Sequence, residues 1–106
     1  MADESVAFAL SHQIQGEQGV LTLVGELDTA AARDVDDAVD ELLGNGVRTL
    51  VIDLGQISFI DSSGLRSLIR ARQALGREDA VRLRSPQAAT LRLLEITGLE
   101  DQFRLV

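Results

Sequence analysis

Apolar and polar positions along the chain change period several times, and each change marks an element. Val6 to Gln13 alternates, which predicts a strand. Gly16 to Gly19 reads as a turn. Val20-Leu21-Thr22-Leu23-Val24 predicts a second strand, so the two form a hairpin. Gly25-Glu26-Leu27-Asp28 leads out of it. The period then lengthens: Val35, Ala38, Val39, Leu42 and Leu43 share one helical stripe. Asp28 or Thr29 can N-cap this helix, and Gly44-Asn45-Gly46 ends it. Its other faces carry Asp34, Asp36, Asp37, Asp40 and Glu41, opposed only by Arg33.

Thr49-Leu50-Val51-Ile52-Asp53-Leu54 is almost continuously apolar, the pattern of a strand covered on both faces. A connection through Ile57 and Phe59-Ile60 is expected next, leading to Asp61-Ser62-Ser63-Gly64 and a second helix to about Leu75. That helix points Leu65, Leu68, Ile69 and Leu75 inward and Arg66, Arg70 and Arg77 outward, and Gly76 ends it. Val81-Arg82-Leu83-Arg84 predicts a strand near an edge. Ser85-Pro86 reads as an N-cap followed by Pro at the first helical position. The third helix runs through Leu91, Leu93, Leu94 and Ile96 to Gly98, and Phe103 to Val106 can add a last strand. The order is β-β-α-β-α-β-α, with a possible final β. Strands alternating with helices require crossovers and hence a mostly parallel sheet, made mixed by the opening hairpin. The chain therefore reads as one α/β domain over residues 1–106, with 1–5 a loose terminus.

Composition narrows the chemistry. The core must be aliphatic, because the 106 residues include three Phe and neither Trp nor Tyr. A net charge of −7 repels a phosphate backbone and disfavours nucleic acid as a ligand. All the basic residues are Arg. Without Lys there is no P-loop and no Schiff base, and without Cys no disulfide or thiolate site. The lone His12 precedes every candidate Ser, in the wrong order for a hydrolase nucleophile elbow. No apolar run reaches bilayer length and no signal peptide opens the chain, so a soluble, cytoplasmic protein away from membranes is expected. Asp28, Asp53 and Asp61 sit near strand ends, where three carboxylates can hold Mg²⁺. The receiver domains that use such a site also need a Lys; the alternative is two helix caps and a strand-end charge. The reading is a non-enzymatic chain without metal or cofactor.

The segment Asp61-Ser62-Ser63-Gly64-Leu65 stands out. Asp or Ser can cap the helix, but Gly64 in a first turn costs about 1 kcal/mol against Ala. A small residue there keeps the surface low so that another backbone can approach, and it presents Ser62 and Ser63 at an accessible helix N-terminus.

Leu50 to Leu54, Ile57 and Phe59 to Leu65 together resemble the STAS domain family, and within it the bacterial anti-sigma factor antagonists. Gly25-Glu26-Leu27-Asp28 and Thr97-Gly98-Leu99 with Phe103 match in the same order, so the resemblance covers nearly the whole chain. It implies a mixed sheet of four to five strands with about four helices packed on it. It further implies an antagonist that binds an anti-sigma factor which is also a serine kinase, freeing a sigma factor for transcription. The kinase would phosphorylate the Ser before the Gly, here Ser63, and end the binding. A PP2C-type phosphatase would reset it, and ATP would belong to the kinase. The implied partner surface comprises Glu26, Asp28, Asp61, Ser62, Ser63, Gly64 and Arg66. Asp28 and Glu26 serve equally well as an N-cap and a strand-end charge, and Arg66 and Arg70 as solvated charges. Leu65 is expected in the core. Ser58, Ser62 and Ser67 crowd Ser63 as alternative acceptors. The other job the resemblance allows is a scaffold or interaction subunit in a different signalling or transport assembly.

Overall fold

A computed structural model describes residues 7–77 and 79–106. The elements are β1 (Ala9–Gln15), β2 (Gln18–Leu27), α1 (Thr29–Gly44), β3 (Thr49–Ile60), α2 (Ser62–Leu75), β4 (Val81–Arg84), α3 (Ala88–Thr97), a 3-10 turn (Glu100–Gln102) and β5 (Arg104–Leu105). The strands form one sheet in the order β1-β2-β3-β4-β5. β1 is antiparallel to β2, and every later pairing is parallel. The expected element order and mixed α/β sheet are therefore observed, and the described residues hold three α-helices and a 3-10 turn where about four helices were expected. The expected loose terminus, 1–5, lies outside the described residues.

Alternate strand residues make one face of the core: Leu21 and Leu23, Leu50, Ile52 and Leu54, Val81 and Leu83. They join one cluster with Val35, Val39 and Leu42 of α1, Leu65 and Leu68 of α2, and Leu94 of α3. Val51, on the other face of β3, is buried as well. Leu50, Val51 and Ile52 thus all lose water contact, as their unbroken apolar run predicts.

Three expectations are corrected. First, β2 and β3 run on past Val24 and Leu54, where a loop and a connection were expected. In β3 the buried positions shift from every second to every third residue: Leu50, Ile52, Leu54, Ile57, Ile60. Two register irregularities, between Thr22 and Val24 and between Gly25 and Glu26, each admit one extra β3 residue. Such bulges break the period of two without ending the strand. Gly25 has φ +105° at the second irregularity, a conformation open to glycine.

Second, Ser85 does not cap α3. It has φ +51°, and the helix begins three residues later behind Gln87, with no side-chain capping bond. The Gln87 amide instead donates to the Gly55 carbonyl at 2.9 Å. Third, the backbone that approaches Gly64 closely is that of Leu27 in the same chain, as the site geometry explains.

A candidate switch site at two helix N-termini

Leu27 and Ile60 are the last register pair of β2 and β3. The two strands therefore end side by side, and each turns at once into a helix. Both turns use the same local chemistry. The Asp28 carboxylate accepts the Ala31 N–H at 3.0 Å at the start of α1, and the Asp61 carboxylate accepts the Gly64 N–H at 3.0 Å at the start of α2. These are side-chain N-caps, each stabilising its helix by about 1 kcal/mol. The Asp61 N–H also donates to the Leu27 carbonyl at 3.2 Å, tying one turn to the other.

Gly64 is buried where these turns meet. A Cβ there would lie 2.7 Å from both the Leu27 carbonyl oxygen and Ile60 Cγ1, and 2.8 Å from Leu27 Cγ. The backbone that comes close is thus the chain's own. Glycine is required because α2 starts hard against the end of β2. This packing fixes the position of the preceding residue. Ser63 is half-buried, and its hydroxyl lies 3.1 Å from the Thr29 hydroxyl in the first turn of α1.

The other predicted site residues spread around this point. Glu26, Asp28, Ser62 and Arg66 are exposed, and Asp61 is half-buried. Leu65 faces the core, as expected. Of the alternative acceptors, Ser67 is buried and donates to the Ala32 carbonyl at 3.1 Å, which pins α2 to α1 and removes it from a kinase's reach. Ser58 donates to the Gly25 carbonyl at a long 3.4 Å and is exposed, as Ser62 is. Arg70, expected on the outward face as a solvated charge, is exposed but paired with carboxylates of α1. It contacts both Asp40 carboxylate oxygens at 3.0 Å and Asp36 at 3.8 Å. The Asp40 hydrogen bond raises the guanidinium pKa above its ordinary value.

The three carboxylates considered for Mg²⁺ do not converge. Asp53 accepts the Gly55 N–H at 2.9 Å, as Asp28 and Asp61 accept their own backbones. Among the described residues no group of three side chains is placed to hold a metal.

Two residues near the ends of β2 and β3 are not legible as site residues in the sequence. Thr29 entered only as a possible cap, yet its hydroxyl touches that of Ser63. Phe59 pairs in register with Glu26 and is 50% exposed. Two bulges lie between Leu54 and Phe59, and their one-residue shifts cancel, so the ring faces outward as plain alternation from Leu54 would also place it, although Ile57 between them does not follow that alternation. An exposed aromatic beside a polar rim is a common anchor in protein interfaces.

Comparison with known proteins gives the chain's family. The family model described as "Mlab, STAS domain" matches residues 10–106. The anti-sigma-F factor antagonist RsfB of Mycobacterium tuberculosis is 30% identical over 86 residues, covering 81% of this chain and 70% of that protein. A crystal structure of an anti-sigma factor antagonist from Mycobacterium paratuberculosis superposes with a TM-score of 0.84 at 27% identity, covering 95% of this chain and 88% of the other. The Bacillus cell fate determinant SpoIIAA in its phosphorylated form gives a TM-score of 0.70 at 25% identity, covering 94% and 91%. The chain belongs to the STAS domain family, among relatives that are anti-sigma factor antagonists.

Proposed function

We propose that this protein is itself an anti-sigma factor antagonist, switched at Ser63. Unphosphorylated, it binds an anti-sigma factor that is also a serine kinase, and so frees a sigma factor for transcription. The kinase phosphorylates Ser63, the complex separates, and a PP2C-type phosphatase resets the chain. In this reading the protein is a cytoplasmic binding module, not an enzyme, and needs no cofactor of its own. Among the described residues no helix is long and apolar enough to cross a membrane.

The observation that carries the reading is the setting of Ser63. Its hydroxyl reaches the surface on a turn that Gly64 and Asp61 hold rigidly. Exposed groups suited to a protein partner share the two first turns with it, Asp28, Ser62 and Arg66, and Glu26 pairs with Phe59 near the ends of β2 and β3. A phosphate brings about −1.5 to −2 charges and three acceptor oxygens. At a helix N-terminus that charge is tolerated, being favoured by roughly 0.3–1 kcal/mol. The domain therefore keeps its fold, and the cost falls on the complex, where a charged group must be desolvated between two surfaces. Asp61 and Asp28 add like charge beside it.

The test is intact mass and peptide mapping after incubation with the cognate anti-sigma kinase and ATP. One phosphate on Ser63, absent from a Ser63→Ala variant that still binds the kinase, is expected. Neither a phosphate nor a complex would leave the fold assignment intact and favour a scaffold role in another assembly.

A further inference from the structure

Ser63 does not face open solvent alone. It lines an open groove between α1 and α2 together with Thr29, Arg33, Asp36, Arg66 and Arg70. The three cations there are not equivalent. Arg70 is committed to Asp36 and Asp40. Arg33 and Arg66 are exposed, and among the described residues neither has an ion-pair partner. Arg66 stands one turn beyond Ser63 on α2, and Arg33 one turn beyond Thr29 on α1. Residues three and four apart share a helix face. The Thr29–Ser63 contact thus sets the start of the groove, with one free guanidinium on each wall beyond it.

From this arrangement we infer that the groove is a built-in receptor for the chain's own phosphoserine. Once Ser63 is phosphorylated, Arg33 and Arg66 hold the phosphate between α1 and α2, with the Thr29 hydroxyl donating a further hydrogen bond. The inference deepens the switch proposed above and rests on Ser63 being the acceptor. Repulsion directs the phosphate the same way. The carboxylates of Asp28 and Asp61, fixed on their caps, flank the serine on the strand side. Among the described residues the only carboxylate lining the groove is Asp36, 3.8 Å from Arg70. Arginine suits the task because its planar fork of donors matches phosphate oxygens. Capture has a consequence for the switch: it withdraws Arg66 from any contact with the partner while adding the phosphate's bulk and charge. One modification then removes an attraction and creates a repulsion.

The test is the second ionisation of the phosphoserine, followed by ³¹P NMR as a function of pH. Phosphoserine is installed at position 63 during translation, so the result does not depend on any kinase. Free phosphoserine titrates near pH 6. The wild-type midpoint is compared with that of an Arg33→Gln, Arg66→Gln double variant, both exposed positions whose change spares the fold. The α2 N-terminus, Asp28, Asp61, Asp36 and Arg70 act equally on both proteins, so the difference isolates the two arginines. The expected midpoint is lower in the wild type by roughly half a pH unit or more, because nearby cations favour the dianion. Arg66→Lys with Arg33 intact should keep most of that shift. Coincident midpoints in the wild type and the double variant would show the phosphate turned away from the groove and overturn the inference. A kinase that ignores Ser63 would instead sink the proposed function and this inference with it, whereas coincident midpoints overturn the inference alone.

Discussion

α2 and α3 begin at equivalent places, each just after a parallel strand has ended, yet their first turns are built differently. α2 follows β3 with a single intervening residue, Asp61, whose carboxylate closes the cap. Gly64 lets its first turn press on Leu27 and Ile60. α3 follows β4 through Ser85, Pro86 and Gln87, with Ser85 at positive φ and no side-chain cap. Its outer face leaves Ile96 73% exposed. The same topological position thus yields one capped, closely packed start and one start without a side-chain cap. The switch proposed at Ser63 calls for the closely packed start, since a platform that yields would blunt the effect of a phosphate.

The comparison can be broken most sharply at Gly64. Gly64→Ala places a methyl 2.7 Å from the Leu27 carbonyl and Ile60. Overpacking of this kind costs about 1–3 kcal/mol, only partly offset by alanine's helix propensity. Chemical denaturation should show that loss. An unchanged midpoint would mean that the two turns are not packed as described.

Next comes the cap. Asp61→Ala should cost about 1 kcal/mol and speed amide exchange in the first turn of α2. Gln87→Ala, which removes no cap, should leave the first turn of α3 exchanging as fast as before. Equal protection of the two first turns in the wild type would erase the distinction.

Ser85→Gly acts in the opposite direction. A non-glycine residue at positive φ is strained by roughly 1–2 kcal/mol. Glycine relieves that strain but adds unfolded-state freedom worth about 0.5–1 kcal/mol. A net gain of a few tenths to 1 kcal/mol is expected in thermal melts, and a loss would show that Ser85 has a role in its present conformation.

The smallest effect concerns the tie between α1 and α2. Arg70→Gln removes the exposed bridge to Asp36 and Asp40, worth about 0.2–1 kcal/mol. The difference should shrink in high salt. A loss that ignores salt would point to packing by the arginine stem rather than charge.

Much of this molecule is written in local pattern. The helical stripes of α1 and α2, the Asp28 and Asp61 caps and the hairpin follow from periodicity and from which side chains can accept a backbone N–H. So does Ser63's place at a helix start. The misses share one cause. β3 was cut short at Leu54 because two bulges change its apolar spacing from two to three. Ser85-Pro86 carries a good capping sequence, but the backbone it occupies is set by how β4 meets β5. The Ser85 N–H donates to the Val106 carbonyl at 3.0 Å, a contact between residues far apart in the chain.

By itself, then, the sequence determined the element types, the mostly parallel order, the aliphatic core and the serine at the α2 start, because these depend on neighbours within a turn or a strand. Only the tertiary structure decided why residue 64 must be glycine, that Phe59 pairs with Glu26, that Ser67 is shielded, and that Thr29 and Ser63 touch. Each of those depends on the side-by-side ending of β2 and β3, which joins residues some thirty positions apart, and no local pattern reports a distance across that gap.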